Sequence, residues 1–207
     1  MQLKIPAEDG KMRDQRMRKR VTAIIDETGP NDIFAVGATI TDKPEEFADI
    51  SRKLREKLGV EELKYRKSSK ETKDIMEKAL TDIGAEVEIR YIKKGVEGDF
   101  EWWMQSGSER QQGMLKELAK DLVELDVDFD KIIIDDNTAM KGDAGKMIIE
   151  EYVSTVREIG LVSQESSERG KHKDLLQTND FAIGTSGRVL RGIKSKTGIR
   201  IRFRRMN

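Results

Sequence analysis

Two apolar segments of this chain each run into an acid. Ala23-Ile24-Ile25 ends on Asp26, and Ile132-Ile133-Ile134 ends on Asp135. If both are strands of an open α/β sheet, the acids stand at the carboxyl ends, where such sheets bind ligands. One acid after a strand commonly starts a turn or caps a helix, so each alone says little. A third acid has a different setting. Leu176, Asp180, Ile183, Gly187 and Leu190 follow spacings of 4, 3, 4 and 3, which trace one helix face. That face is otherwise apolar or small, so Asp180 points toward the core. A carboxylate there needs a partner, because burying an unpaired charge is costly. Either a cation such as Lys64 or an arginine neutralises it, or it binds a metal. Three converging carboxylates would form an oxygen-rich site suited to Mg²⁺ or Mn²⁺.

The rest of the composition narrows the chemistry. There are no cysteines, which excludes disulfides, zinc–thiolate sites, Fe–S clusters and a thiol nucleophile. There is one histidine, His172, so a Ser-His-Asp triad or a multi-histidine metal site is not expected. Gly184-Thr185-Ser186-Gly187 lacks the Gly-Lys-Ser/Thr ending of a phosphate-binding loop. Carboxylates, lysines or a hard metal are left to do any chemistry.

The elements that would carry these residues read as one α/β domain. Residues 21–25 and 33–40 are β-rich and separated by turn chemistry, which predicts a leading hairpin. Helices are predicted at 44–58 and about 70–83. A half-buried strand follows at 85–92, by its alternation. A long helical stretch is expected over about 99–125, with breaks near Gly107 and Gly113. A central strand falls at 131–134, a helix at 143–159, a short strand at 161–166 and a last helix at 174–191. Lys141-Gly142-Asp143 reads as a turn and helix start. Residues 199–205 alternate apolar and basic, as an edge strand would.

The chain of 207 residues is neutral overall, but 38% of it is charged and the charge is unevenly spread. Residues 1–20 carry +4 and residues 181–207 carry +8 with no acid, so the body between is at −12. Basic ends on an acidic body either contact a polyanion such as nucleic acid or fold back on that body. The expected division is a basic arm at 1–20, a domain at 21–192 and a basic tail at 193–207. No apolar run approaches 18 residues, and the first twenty lack the apolar core of a signal peptide. A cytoplasmic location without membrane contact is expected. His172, among glycine and lysines, reads as a loop histidine that is solvated or assists product release. Trp102 and Trp103 read as packing or an oligomer interface, with base stacking as the functional option.

The motifs together are similar to the RNase H-like domain-of-unknown-function family numbered 3800. They are Asp26-Glu27-Thr28-Gly29, Phe34-Ala35-Val36-Gly37-Ala38, Glu62-Leu63-Lys64, Ile134-Asp135, and Leu176-Gln177-Thr178-Asn179-Asp180 with Gly184 four residues on. Their order spans residues 21–192. Thr28 stands where the family has serine, and Asn179 where it has alanine. The resemblance implies an RNase H-like mixed sheet with a leading antiparallel hairpin and helices on both faces. It implies two divalent metals, Mg²⁺ or Mn²⁺, held by Asp26, Asp135 and Asp180 and acting on a phosphodiester. Glu62 would be a fourth acid, and Lys64 a phosphate contact or a structural partner. The strand parity puts Glu27 and Asp136 on the opposite side from their neighbours. The functions to weigh are a metal-dependent nuclease acting on RNA or DNA and a non-catalytic nucleic-acid-binding or interaction protein. Nucleic acid is the expected partner in both, with a homo-oligomer as a further expectation.

Overall fold

The computed structural model describes residues 19–29, 32–136, 143–163, 167–193 and 198–206. Residues 1–18 of the basic arm and the Lys141-Gly142 turn lie outside them, as do Lys194 and Lys196 of the tail. Six strands form one mixed sheet in the order β5-β4-β1-β2-β3-β6. β1 (Arg20–Thr28) and β2 (Ile33–Thr41) make the antiparallel hairpin, and β3 (Glu86–Lys93) continues it on β2. β4 (Asp128–Asp136) lies parallel to β1, β5 (Glu158–Ser163) parallel to β4, and β6 (Arg200–Arg205) parallel to β3. β1 continues past Asp26 to Thr28, which shortens the predicted hairpin loop.

Helices cover both faces. α4 (Gly107–Val123) and α5 (Ala144–Tyr152) pack on Ala23, Ile25, Ile132 and Ile134. On the other face α6 (Ser167–Leu190) packs on the sheet, and α1 (Pro44–Leu58) and α2 (Lys70–Asp82) pack against α6, in one core with Ile24 and Ile133. α1 shows why local sequence suffices for some elements. Pro44 occupies its first turn with Glu45 and Glu46, Arg55 and Lys57 its last, and Gly59 closes it at φ +64°. Each choice matches what helix ends require.

Several boundaries differ from the expectation. The stretch 99–125 is two helices, α3 (Phe100–Met104) and α4, parted at Gln105-Ser106. Ser106 and Glu109 form a reciprocal capping box, which starts α4 there. Gly113 lies within α4, and the Trp102 ring covers it. Arg110 donates to the carbonyls of Trp102, Trp103 and Gln105 and stacks on the Trp103 ring. The tryptophans therefore serve packing. α5 ends at Tyr152 instead of running to 159, and β5 begins at Glu158 instead of 161. The β-branched Val153, Thr155 and Val156 favour leaving the helix, and the Arg157 amide donates to the Phe129 carbonyl of β4. α6 starts at 167 instead of 174, so His172 is a buried helical residue and not a loop residue.

The basic end forms the edge strand that its alternation suggests. Residues 200–205 belong to the sheet. Arg200 pairs with Glu86, Arg202 with Glu88, Arg204 with Asp121 and Glu124, and Arg205 with Asp99, at 2.6–3.2 Å. Glu88, Asp99 and Asp121 are 2% exposed or less, so these arginines neutralise acids that have lost water. Of the two readings of the C-terminal charge, folding back on the acidic body is the one observed. At the other end, Lys19 pairs with Asp42 at 2.9 Å.

Candidate active site

The alternation of β1 and β4 decides where their acids point. Ile24 and Ile133 face α6, so Asp26 and Asp135, two residues on, face it too. Asp180 lies on α6 itself. The three meet in a cavity of about 520 Å³ whose other lining residues include Glu62, Lys64, Lys173 and Gln177. Every sequence-predicted site residue thus borders one cavity.

The approach of α6 depends on residue size. Gly184 lies beneath the Tyr65 ring, so close that an added methyl would overlap ring atoms. Tyr65 also meets Phe181 edge-to-face at 5.7 Å. This packing seats an extended segment, 62–65, along the helix. Its alternate amides are used in turn: Leu63 N–H donates to Gln177 Oε1 at 3.1 Å, and Tyr65 N–H donates to Asp180 Oδ2 at 2.7 Å. Residues i and i+2 of an extended chain share one side, as do i and i+3 of a helix, so the spacings match. Leu63 and Tyr65 are buried by this arrangement, while Glu62 and Lys64, alternating with them, line the cavity. Glu62 and Lys64 pair with each other at 3.3 Å, both nearly half exposed. Of the two partners open to Asp180, a cation such as Lys64 or a metal, the described side chains supply no salt bridge, and the Tyr65 amide donates to it instead. Sequence reasoning missed this clip, although the spacing of Gln177 and Asp180 was its signal.

The electrostatics are those of crowded acids. Burial pushes the Asp26 carboxyl well above the usual range, and Asp135 and Asp180 push it further. The Glu27 amide, donating to Asp26 Oδ1 at 2.7 Å, opposes this. Burial also raises Asp180, against the Tyr65 amide and then the charges of Arg66 and Lys64. Glu27 is on the opposite strand face, as parity requires, yet it feels Asp135. Burial and then Asp135 raise its pKa, and its Oε2 is buried without a hydrogen-bond partner among the described residues. Asp174, a further acid near this end of α6, is paired with Arg55. Among the described residues, no three acids lie close enough together to form a ready metal site.

No family model and no curated protein matches the sequence. Among solved structures, the chain is similar to one in the PCNA:RNase HII complex from Archaeoglobus fulgidus. The identity is 15%, the TM-score 0.52, and the match covers 86% of this chain and 81% of that one. The fold is RNase H-like. In this RNase H-like sheet the cavity lies at the carboxyl ends of β1 and β4. No helix among the described residues is long and apolar enough to cross a membrane.

Proposed function

We propose that this chain is a divalent-metal-dependent nuclease that hydrolyses phosphodiesters of RNA or DNA. The observation that carries the reading is Asp26. It borders a cavity shared with Asp135 and Asp180, and both of those raise its pKa. An arrangement that crowds like charges destabilises the fold unless a cation uses it. The donor set that Asp26, Asp135 and Asp180 bring to the cavity fits a hard divalent ion, being all oxygen.

Asp26, Asp135 and Asp180 would hold Mg²⁺ or Mn²⁺. The bound ion would polarise a phosphoryl oxygen and lower the pKa of a water. The protein's own contribution is positioning. The Tyr65 amide fixes one oxygen of Asp180 and leaves the other for the cavity. The Glu27 amide does the same for Asp26. Lys64, paired with Glu62 at the rim, supplies a cation that a phosphate can share.

The test is cleavage of end-labelled RNA and DNA oligonucleotides with Mg²⁺, Mn²⁺ or EDTA. Cleavage is expected only with metal. It should fall at least about 100-fold in each of Asp26→Asn, Asp135→Asn and Asp180→Asn, the range that loss of a catalytic electrostatic contact reaches. Mn²⁺ binding, followed by electron paramagnetic resonance, should weaken in the same variants. One observation favours a second reading, a non-catalytic nucleic-acid-binding protein: no three described acids are gathered closely enough for a metal. Nucleic-acid binding without metal affinity or cleavage would select it.

A further inference from the structure

α6 presents a second set of residues to the cavity. Gly170, Lys173, Gln177 and Asp180 follow spacings of 3, 4 and 3, so they share one side of the helix, and all four line the cavity. Gln177 and Asp180 are held by the amides of segment 62–65. Gly170 and Lys173, one turn further back, are not explained by the protein itself.

Gly170 is the clearer anomaly. Glycine within a helix is unfavourable relative to alanine. Elsewhere in α6 the reason is visible, since Gly184 admits the Tyr65 ring and Gly187 lies close to Thr28. At Gly170 an added methyl would meet no described atom within 4 Å, and its φ is not in the left-handed region. Neither packing nor backbone conformation requires a glycine there. What remains is the space in front of it, which is the cavity.

Lys173 gives an independent sign. The cavity has two lysines among its described lining residues. Lys64 has an acid partner in Glu62. Lys173 is half-buried, yet its side chain makes no ion pair or hydrogen bond with any described residue. A partly desolvated ammonium gains from an anion.

We infer that Gly170 and Lys173 form a backbone-binding wall of the site, where a nucleic-acid strand passes against α6 with a phosphate on Lys173 and its sugar–phosphate chain close to Gly170. The inference rests on the proposed nuclease reading and adds the path of the substrate beside the acids. A lysine supplies a point charge to a phosphate without reading sequence. Glycine permits the close approach of a ligand backbone. The strand then runs along α6 toward Asp180.

The experiment uses the full chain with Asp26→Asn as background, so that substrate survives, and measures anisotropy of fluorescent single-stranded RNA and DNA over a salt series. Lys173→Ala should weaken binding by about 5- to 10-fold and lower the slope of log K against log salt by about 0.7, one phosphate on a single strand. Gly170→Leu should weaken binding at least as much, with an unchanged salt slope. Gly170→Ala should raise the melting temperature while weakening binding, a combination that a purely structural role does not produce. If the background protein binds both oligonucleotides and Lys173→Ala and Gly170→Leu bind equally well with the same slope, the wall is overturned and the nuclease reading stands. If the background protein binds neither oligonucleotide, both fall.

Discussion

The same substitution at two places on α6 should have opposite effects. At Gly184, an alanine methyl would lie 2.9 Å from Tyr65 Cδ2 and closer still to Cγ and Cδ1, where ordinary contact begins near 3.4 Å. The ring has Phe181 against its edge and cannot simply rotate away. Overpacking of this kind costs about 1–3 kcal/mol. Helix propensity returns about 1 kcal/mol. If Tyr65 lifts, its amide leaves Asp180, and a hydrogen bond to a charged acceptor is worth roughly 1.5–3 kcal/mol. With the amide bond lost, the net loss is about 1.5–5 kcal/mol, or roughly 3–20 °C in Tm for a chain of this size. At Gly170 the methyl enters open space, so Gly170→Ala should gain up to about 1 kcal/mol. Urea denaturation of the two variants, followed by circular dichroism, measures the difference. Gly184→Ala should also weaken Mn²⁺ binding, because it loosens Asp180. Equal stabilisation by both substitutions would refute the packing of Tyr65 on α6, and with it the account of how segment 62–65 is seated.

Two further outcomes follow from the buried acids. Asp26, Glu27 and Asp180 all have raised folded pKa values, so ionising them opposes folding. That cost is absent below the usual carboxylate pKa and accumulates as pH rises through the folded values. Metal-free protein should therefore lose stability as pH rises above about 4, the usual carboxylate range. Asp26→Asn should flatten that dependence, and added Mn²⁺ should reverse it; denaturation midpoints in EDTA and in Mn²⁺ between pH 5 and 8 provide the check. At the far edge of the sheet, Arg205→Ala leaves Asp99 fully buried with only the Lys93 amide as a remaining described donor. The Arg205 side chain is 37% exposed, which tempers the effect, so a loss of about 1–3 kcal/mol is expected in the same denaturation assay. A loss below about 0.5 kcal/mol would show that solvent already screens this pair.

The parts of the fold legible in the sequence were those fixed locally. α1 carries its own start, face and stop, and its predicted bounds of 44–58 are the observed ones. β1 and β4 announced themselves as apolar runs because both faces of each are covered. The placement of Asp26 and Asp135 at strand ends and of Asp180 on the inward face of the last helix was legible from the apolar runs and the helix spacing, while the cavity they share is visible only in the fold. What the sequence did not show depends on contacts between distant residues. His172 lies within a helix whose start precedes it by five residues. β5 starts early because it pairs with β4. The charge of the C-terminal segment looked available until its arginines were seen to meet Glu88, Asp99 and Asp121, acids too far away in sequence for periodicity to register. The Tyr65–Asp180 clip was hidden in the same way: the spacing of Gln177 and Asp180 marks a shared helix face, but the amides that meet it belong to a segment more than a hundred residues away.

The pairing of β6 with β3 has a kinetic consequence. Glu86 and Arg200 are in register although more than a hundred residues separate them, so this is among the most non-local contacts in the sheet. The hairpin of β1 and β2 can form while the later chain is still absent, because its contacts are short-range, and β3 joins it across α1 and α2 through a connection less than half as long as the one β6 must close. At that stage Glu88, Asp99 and Asp121 have no Arg202, Arg204 or Arg205 to meet. Docking of β6 therefore closes a long loop and neutralises the strand's acidic neighbours in one late event. Folding should then be slowed by raising salt at this step, since screening weakens the attraction that draws the arginine-rich strand onto its edge.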